Sequence, residues 1–97
     1  MTTELERDVE KAFVQGVRKL GGKAYKFISP GNVGVPDRIV LWPRGGVEFV
    51  ELKTTTGRLS PMQRVQIQRL KDLGATVYIL YGHADVASYL QAAGGKA

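Results

Sequence analysis

Apolar residues at Leu5, Val9, Ala12, Phe13, Val17 and Leu20 recur at the three-to-four spacing of a helix, and the pair Gly21–Gly22 ends the run. This predicts a first helix over about 3–20. The stretch "KAYKFI" (23–28) alternates as a strand does, and "SPGNVGVP" (29–36) has the proline and glycine content of a loop. Two more strands, over about 37–42 and 47–54, are joined at "PRGG" as a hairpin. Ser60 followed by Pro61 reads as an N-cap and the first position of a helix that runs to Leu73 and stops at Gly74. The nearly uniform apolar run "TVYILY" (76–81) predicts a strand buried on both faces, and "HADVASYLQAA" a short closing helix.

The predicted order is α-β-β-β-α-β-α, with no internal repeat, low-complexity tract or linker. The strand, helix and strand spanning 47–81 form a crossover, expected to be right-handed and to join parallel strands. A four-stranded mixed sheet flanked by helices follows, an α/β (α+β mixed) fold. A length of 97 residues bounds this to one domain, 1–97, with a modest core.

Composition narrows the chemistry. No apolar stretch approaches the roughly 18 residues of a membrane helix, and the polar, acidic "MTTELERDVEK" does not read as a secretory signal. The absence of cysteine fits an intracellular protein and excludes disulfides and thiolate zinc sites; a lone histidine, His83, excludes a multi-histidine site. A bound metal would have to be a hard cation on carboxylates, which points to magnesium or manganese. The net charge of +5 favours a polyanionic partner.

The region 34–53, "GVPDRIVLWPRGGVEFVELK", concentrates the unusual features. Side chains two apart on a strand share a face, so Glu51 and Lys53 lie on one side with Val47 and Phe49. Burying that acid and base without partners would cost several kcal/mol per ion. A lone Glu-x-Lys is most simply an ion pair at an open strand end, contributing about 0–1 kcal/mol. The hairpin changes the picture, because antiparallel pairing returns Glu51 and Lys53 toward Asp37. Two carboxylates meeting beside a lysine repel unless a divalent cation sits between them, and such a cation suits phosphodiester hydrolysis. Lys53 then serves electrostatically, since neighbouring carboxylates hold it protonated.

Pro36-Asp37 followed across a hairpin by Glu51-Leu52-Lys53 resembles the PD-(D/E)xK nuclease superfamily. With "GVPD", "VELK", "LSPMQ" (59–63) and an acidic helix ending in "GG", the chain resembles more specifically the VRR-NUC (virus-type replication-repair nuclease) branch, over roughly 4–90. The resemblance implies a restriction-endonuclease-like core and a metal-dependent DNA endonuclease. Its metal site would be held by Asp37, Glu51, a glutamate of the first helix and the carbonyl of Leu52. Of the two candidates on that helix, Glu6 and Glu10, the family spacing matches Glu10. Lys53 would assist and Gln63 would support, although Ser60 to Gln63 also spells a capping box. Gln66 is a polar residue near the middle of that helix's apolar face and needs a partner.

Relatives carry arginines in the loop before Asp37 where this chain has "GNVG". Backbone contacts are therefore expected from Lys26, Arg38, Arg58 and Arg64, with Lys23 and Arg44 as further candidates. Trp42, Tyr25, Tyr78 and Tyr81 are expected in core or interface, and His83 at the start of the last helix. Stand-alone members resemble Holliday-junction resolvases, which implies branched DNA as substrate, a homodimer, and a place in phage or bacterial replication and repair. The rival readings are a non-catalytic DNA-binding module on the same fold, a duplex-cutting restriction-type nuclease, and a structural protein in which the charged strand end is only an ion pair.

Overall fold

The computed structural model describes residues 4–95. Helix α1 (Glu6–Lys19) is followed by strands β1 (Lys23–Lys26), β2 (Arg38–Leu41) and β3 (Val47–Lys53). Then come helix α2 (Pro61–Asp72), strand β4 (Val77–Tyr81) and helix α3 (Gly82–Gly94). The elements and their order are those the pattern predicts, with strand ends trimmed by a residue or two. Thr3, placed at the start of the first helix, lies outside the described residues.

The sheet order is β1-β2-β3-β4, antiparallel across the first three strands and parallel between β3 and β4. One face carries the core. Val9, Phe13 and Val17, on the inward stripe of α1, meet Ala24, Val40, Val50, Leu52 and Leu80 from the sheet and Val86 and Tyr89 from α3. Because side chains alternate along a strand, burial of Val50 and Leu52 on this side sends Phe49, Glu51 and Lys53 to the other.

Strand β4 departs from expectation. Only Leu80 in it is buried: Tyr78, on the core face with Leu80, is 36% exposed because β4 is an edge strand, and Val77, Ile79 and Tyr81 are half-buried because the second sheet face has little cover. Helix α2 supplies that cover, yet it buries only Gln66 and Ile67. A cross-strand apolar row of Tyr25, Ile39, Phe49 and Val77 runs across this face, with Leu41 and Val47 beside it.

The start of α2 is fixed from two directions. Ser60 and Gln63 form the expected capping box: the Ser60 hydroxyl accepts from the Gln63 amide at 3.1 Å, and the Gln63 side-chain oxygen accepts from the Ser60 amide at 2.8 Å. The loop leading to Asp37 is pressed against the same turn. Gly34 has φ +96°, and a Cβ built there would come within 2.7 Å of the Met62 carbonyl carbon and oxygen. Only a residue without a side chain lets the loop pass this close.

Gly31 separates strain from collision. Its φ is also left-handed, +83°, but a Cβ there would meet nothing within 4 Å. Both glycine-to-alanine changes carry a left-handed backbone cost of about 1–2 kcal/mol. Gly34→Ala should cost roughly a further 1–3 kcal/mol for overpacking, measured by urea denaturation. Equal destabilisation of the two variants would contradict the close approach.

Candidate active site

The hairpin register places the acids. Arg38 pairs with Val50, so one step further out Asp37 lies across from Glu51 on the same sheet face. Pairing of β1 with β2 continues to this point, the Phe27 amide donating to the Asp37 carbonyl at 2.8 Å. Pro36, fully buried, fixes the chain on its way in. The Asp37 carboxylate accepts from the Leu52 amide at 3.2 Å, which holds it against β3.

Glu51 is 1% exposed, a rare state for a glutamate. Gln63 Nε2 donates to its Oε2 at 3.1 Å, and Lys53 Nζ stands 3.7 Å from the same oxygen. Its other oxygen, Oε1, is buried and has no hydrogen-bond partner. Burial pushes the Glu51 carboxyl up to about 7, Asp37's negative charge pushes the same way, and Lys53 opposes both. Asp37, Glu51, Lys53 and Gln63 are thus brought together. Gln63 closes the capping box through its oxygen and holds Glu51 through its nitrogen, so the helix cap and the site contact are one side chain.

Glu10 is not brought to them. Its carboxylate is paired with the Arg38 guanidinium on the α1 side of the sheet, opposite the face that carries Asp37. Among the described residues no three acids gather as a metal-holding group. A cation between the acids would be held by Asp37 and Glu51, without Glu10. Arg38 also departs from its expected role as a surface DNA contact: its side chain is 14% exposed, bonded to Glu10 and to the Ala24 carbonyl. Glu6 is exposed in the first turn. Glu4, which sequence reasoning passed over, accepts from the Thr55 amide and hydroxyl and ties the entry of α1 to the chain just beyond Lys53. Lys26, Arg58 and Arg64 are exposed.

The donor set fits a hard divalent cation. Two facing carboxylates, one with a buried oxygen lacking any partner, are what a cation of the magnesium or manganese class would satisfy. A cavity of about 830 Å³ lies elsewhere, between the hairpin end and α3, and is lined by Trp42, Tyr78, Leu80 and Tyr89 among others. The acids stand instead toward the end of β3, the partly exposed Asp37 beside the buried Glu51. Trp42 and Tyr89 both donate to Glu48 on that distant side, consistent with a packing role for these aromatics.

Comparison with known proteins gives a consistent result. The sequence pattern of the VRR-NUC domain family matches residues 3–84. "Putative nuclease p44" of Acyrthosiphon pisum secondary endosymbiont phage 1 is 46% identical over 87 residues, covering 90% of this chain and 92% of that protein. A solved structure of a VRR-NUC domain superposes with a TM-score of 0.81 at 28% identity, covering 89% of this chain and 94% of the other.

A raised carboxyl has a thermodynamic signature. The folded chain binds the Glu51 proton up to about pH 7, whereas the unfolded chain releases it near 4.5. In that window the native state holds more protons, so stability falls as pH rises from about 4.5 through 7 and then levels. The ceiling is about 3 kcal/mol, with the opposing charge of Lys53 already included. Without divalent metal, Glu51→Gln should flatten this slope and equal or exceed the wild type in stability at pH 8. Denaturant titrations at several pH values check it; an unchanged slope in the variant would assign the pH dependence to other groups.

Proposed function

The chain belongs to the VRR-NUC domain family, and from that premise we propose that it is a metal-dependent, structure-specific DNA endonuclease acting on branched DNA such as four-way junctions. The observation that carries this reading is the facing of Asp37 and Glu51 across the hairpin, with an unpartnered buried oxygen on Glu51. Asp37 and Glu51, with the Leu52 carbonyl as a further donor, would hold magnesium or manganese. Bound there, the ion lowers the pKa of a coordinated water and offsets charge on the scissile phosphate.

The protein's own groups set the geometry. Gln63 fixes the Glu51 carboxylate through Oε2 and leaves Oε1 free for the ion. The Lys53 ammonium, 3.7 Å from Oε2 and 15% exposed, supplies a fixed positive charge where a pentavalent phosphorane would develop negative charge. Its partial burial strengthens that charge relative to one in bulk water. Arg58 and Arg64, exposed near the start of α2, are suited to phosphates flanking the cut. The phage source of the p44 relative supports a role in phage or bacterial replication and repair.

An exposed apolar row on the sheet supports the homodimer that symmetric junction cutting would require. The molecule is only 19 Å in its thinnest dimension, and Tyr25 (51% exposed), Val47 (49%) and Leu41 (41%) lie on the sheet face that α2 leaves open. A second copy laid on this face would cover the row and bring a second active site with it.

Two experiments test these readings. Labelled junction, flap, single-stranded and duplex DNA are incubated with the protein in magnesium or manganese, with Lys53→Ala in parallel. Junction cleavage should fall about 10²–10³-fold in the variant, and Asp37→Ala and Glu51→Ala should each lose manganese binding by calorimetry. Cleavage undiminished in Lys53→Ala would locate the activity elsewhere. For the dimer, Val47→Lys should convert a dimeric light-scattering mass to that of a monomer; a wild type already monomeric at micromolar concentration would remove the two-fold reading.

A further inference from the structure

Positive charge on α1 is gathered on one side. At about 100° per residue, Arg7, Lys11, Val14 and Arg18 fall within an arc of roughly 60°. With Glu10, Gln15 and Arg38 they line a shallow groove of about 380 Å³. Its walls hold four cations and one carboxylate, and that carboxylate, Glu10, is engaged by Arg38. Arg7, Lys11 and Arg18 are exposed, and among the described residues none lies within ion-pairing distance of an acid. The first-turn acids Glu6 and Asp8 sit on either flank, outside the arc.

Such a row is not neutral to the helix. Arg7 and Lys11 are four apart, and like charges at that spacing destabilise a helix. A merely solubilising face intersperses the signs. An anion laid along the row removes the repulsion. From Arg7 to Arg18 the helix rises about 16 Å, and duplex DNA carries one phosphate charge per roughly 1.7 Å of axis, so the row meets several phosphates at once.

The groove's position makes it distinct from the acid pair. Arg38, which forms one wall, is the residue after Asp37 on β2, and neighbouring side chains on a strand point to opposite faces. We infer that the α1 groove is a second binding surface for the phosphodiester backbone of nucleic acid, on the sheet face opposite Asp37 and Glu51. It would hold a second arm of a branched substrate. This rests on the proposed nuclease reading and deepens it: an unbent duplex cannot lie on both faces of one sheet, whereas two arms of a junction can.

The test replaces three exposed cations with a neutral helix former, Arg7→Gln, Lys11→Gln and Arg18→Gln together, and checks the fold by circular dichroism. Binding of wild type and variant to a four-way junction and to linear duplex is measured in EDTA, so that no strand is cut, over a range of salt. Junction affinity should fall at least roughly tenfold, and the slope of log affinity against log salt should become shallower by about 2–3. Duplex affinity should fall less than roughly threefold by the same relation. Junction affinity within about twofold of wild type, with the slope unchanged, would overturn the groove as a binding surface. Equal losses on junction and duplex would overturn its assignment to a separate arm. A wild type that binds neither DNA would take down the nuclease reading together with the groove.

Discussion

A carboxylate buried out of water and facing a second, partly exposed one defines this molecule. Asp37 and Glu51 repel one another, and Glu51 is almost wholly buried with one oxygen unpaired. A fold assembled for stability alone would place apolar side chains there, since an uncompensated buried charge costs several kcal/mol. Lys53 and Gln63 compensate one oxygen of Glu51 and leave the other. A cation held between the two acids, as proposed, would correct that imbalance, and local conflicts of this kind collect where function requires them.

The rest of the architecture serves to keep the pair in place. Hairpin register sets the two acids opposite each other, and the buried Pro36 and the Leu52 amide fix Asp37. The parallel step from β3 to β4 returns α2 across the end of the sheet, where its first turn delivers Gln63 to Glu51. Gly34 allows the loop before Asp37 to press on that same turn. The two approaches to the site, one from each side of the hairpin, are thereby locked to each other. Meanwhile the hydrophobic core lies almost entirely on the opposite face, against α1 and α3.

Much of this was legible in the sequence. Helical spacing in α1, the turn residues at "PRGG" and the Ser-Pro start of α2 gave the elements, because each rests on local backbone preferences. The convergence of Asp37, Glu51 and Lys53 was also readable, since it needs only strand alternation and a short hairpin. Three features were not. Glu10 was expected at the acids, but which helix face meets which sheet face is a tertiary matter, and the packing of Val9, Phe13 and Val17 turns Glu10 toward Arg38 instead. Arg38 was expected on the surface for the same reason in reverse. The exposure of β4 is the third, because an apolar run discloses neither that its strand lies at the sheet edge nor how fully each face will be covered.

Anomalous diffraction from crystals grown with manganese would reveal whether a cation joins the two carboxylates. One strong peak should appear bonded to Glu51 Oε1 and an Asp37 carboxylate oxygen, with Gln63 still on Oε2. A map with no peak between these two side chains, or with manganese bound only elsewhere, would contradict it.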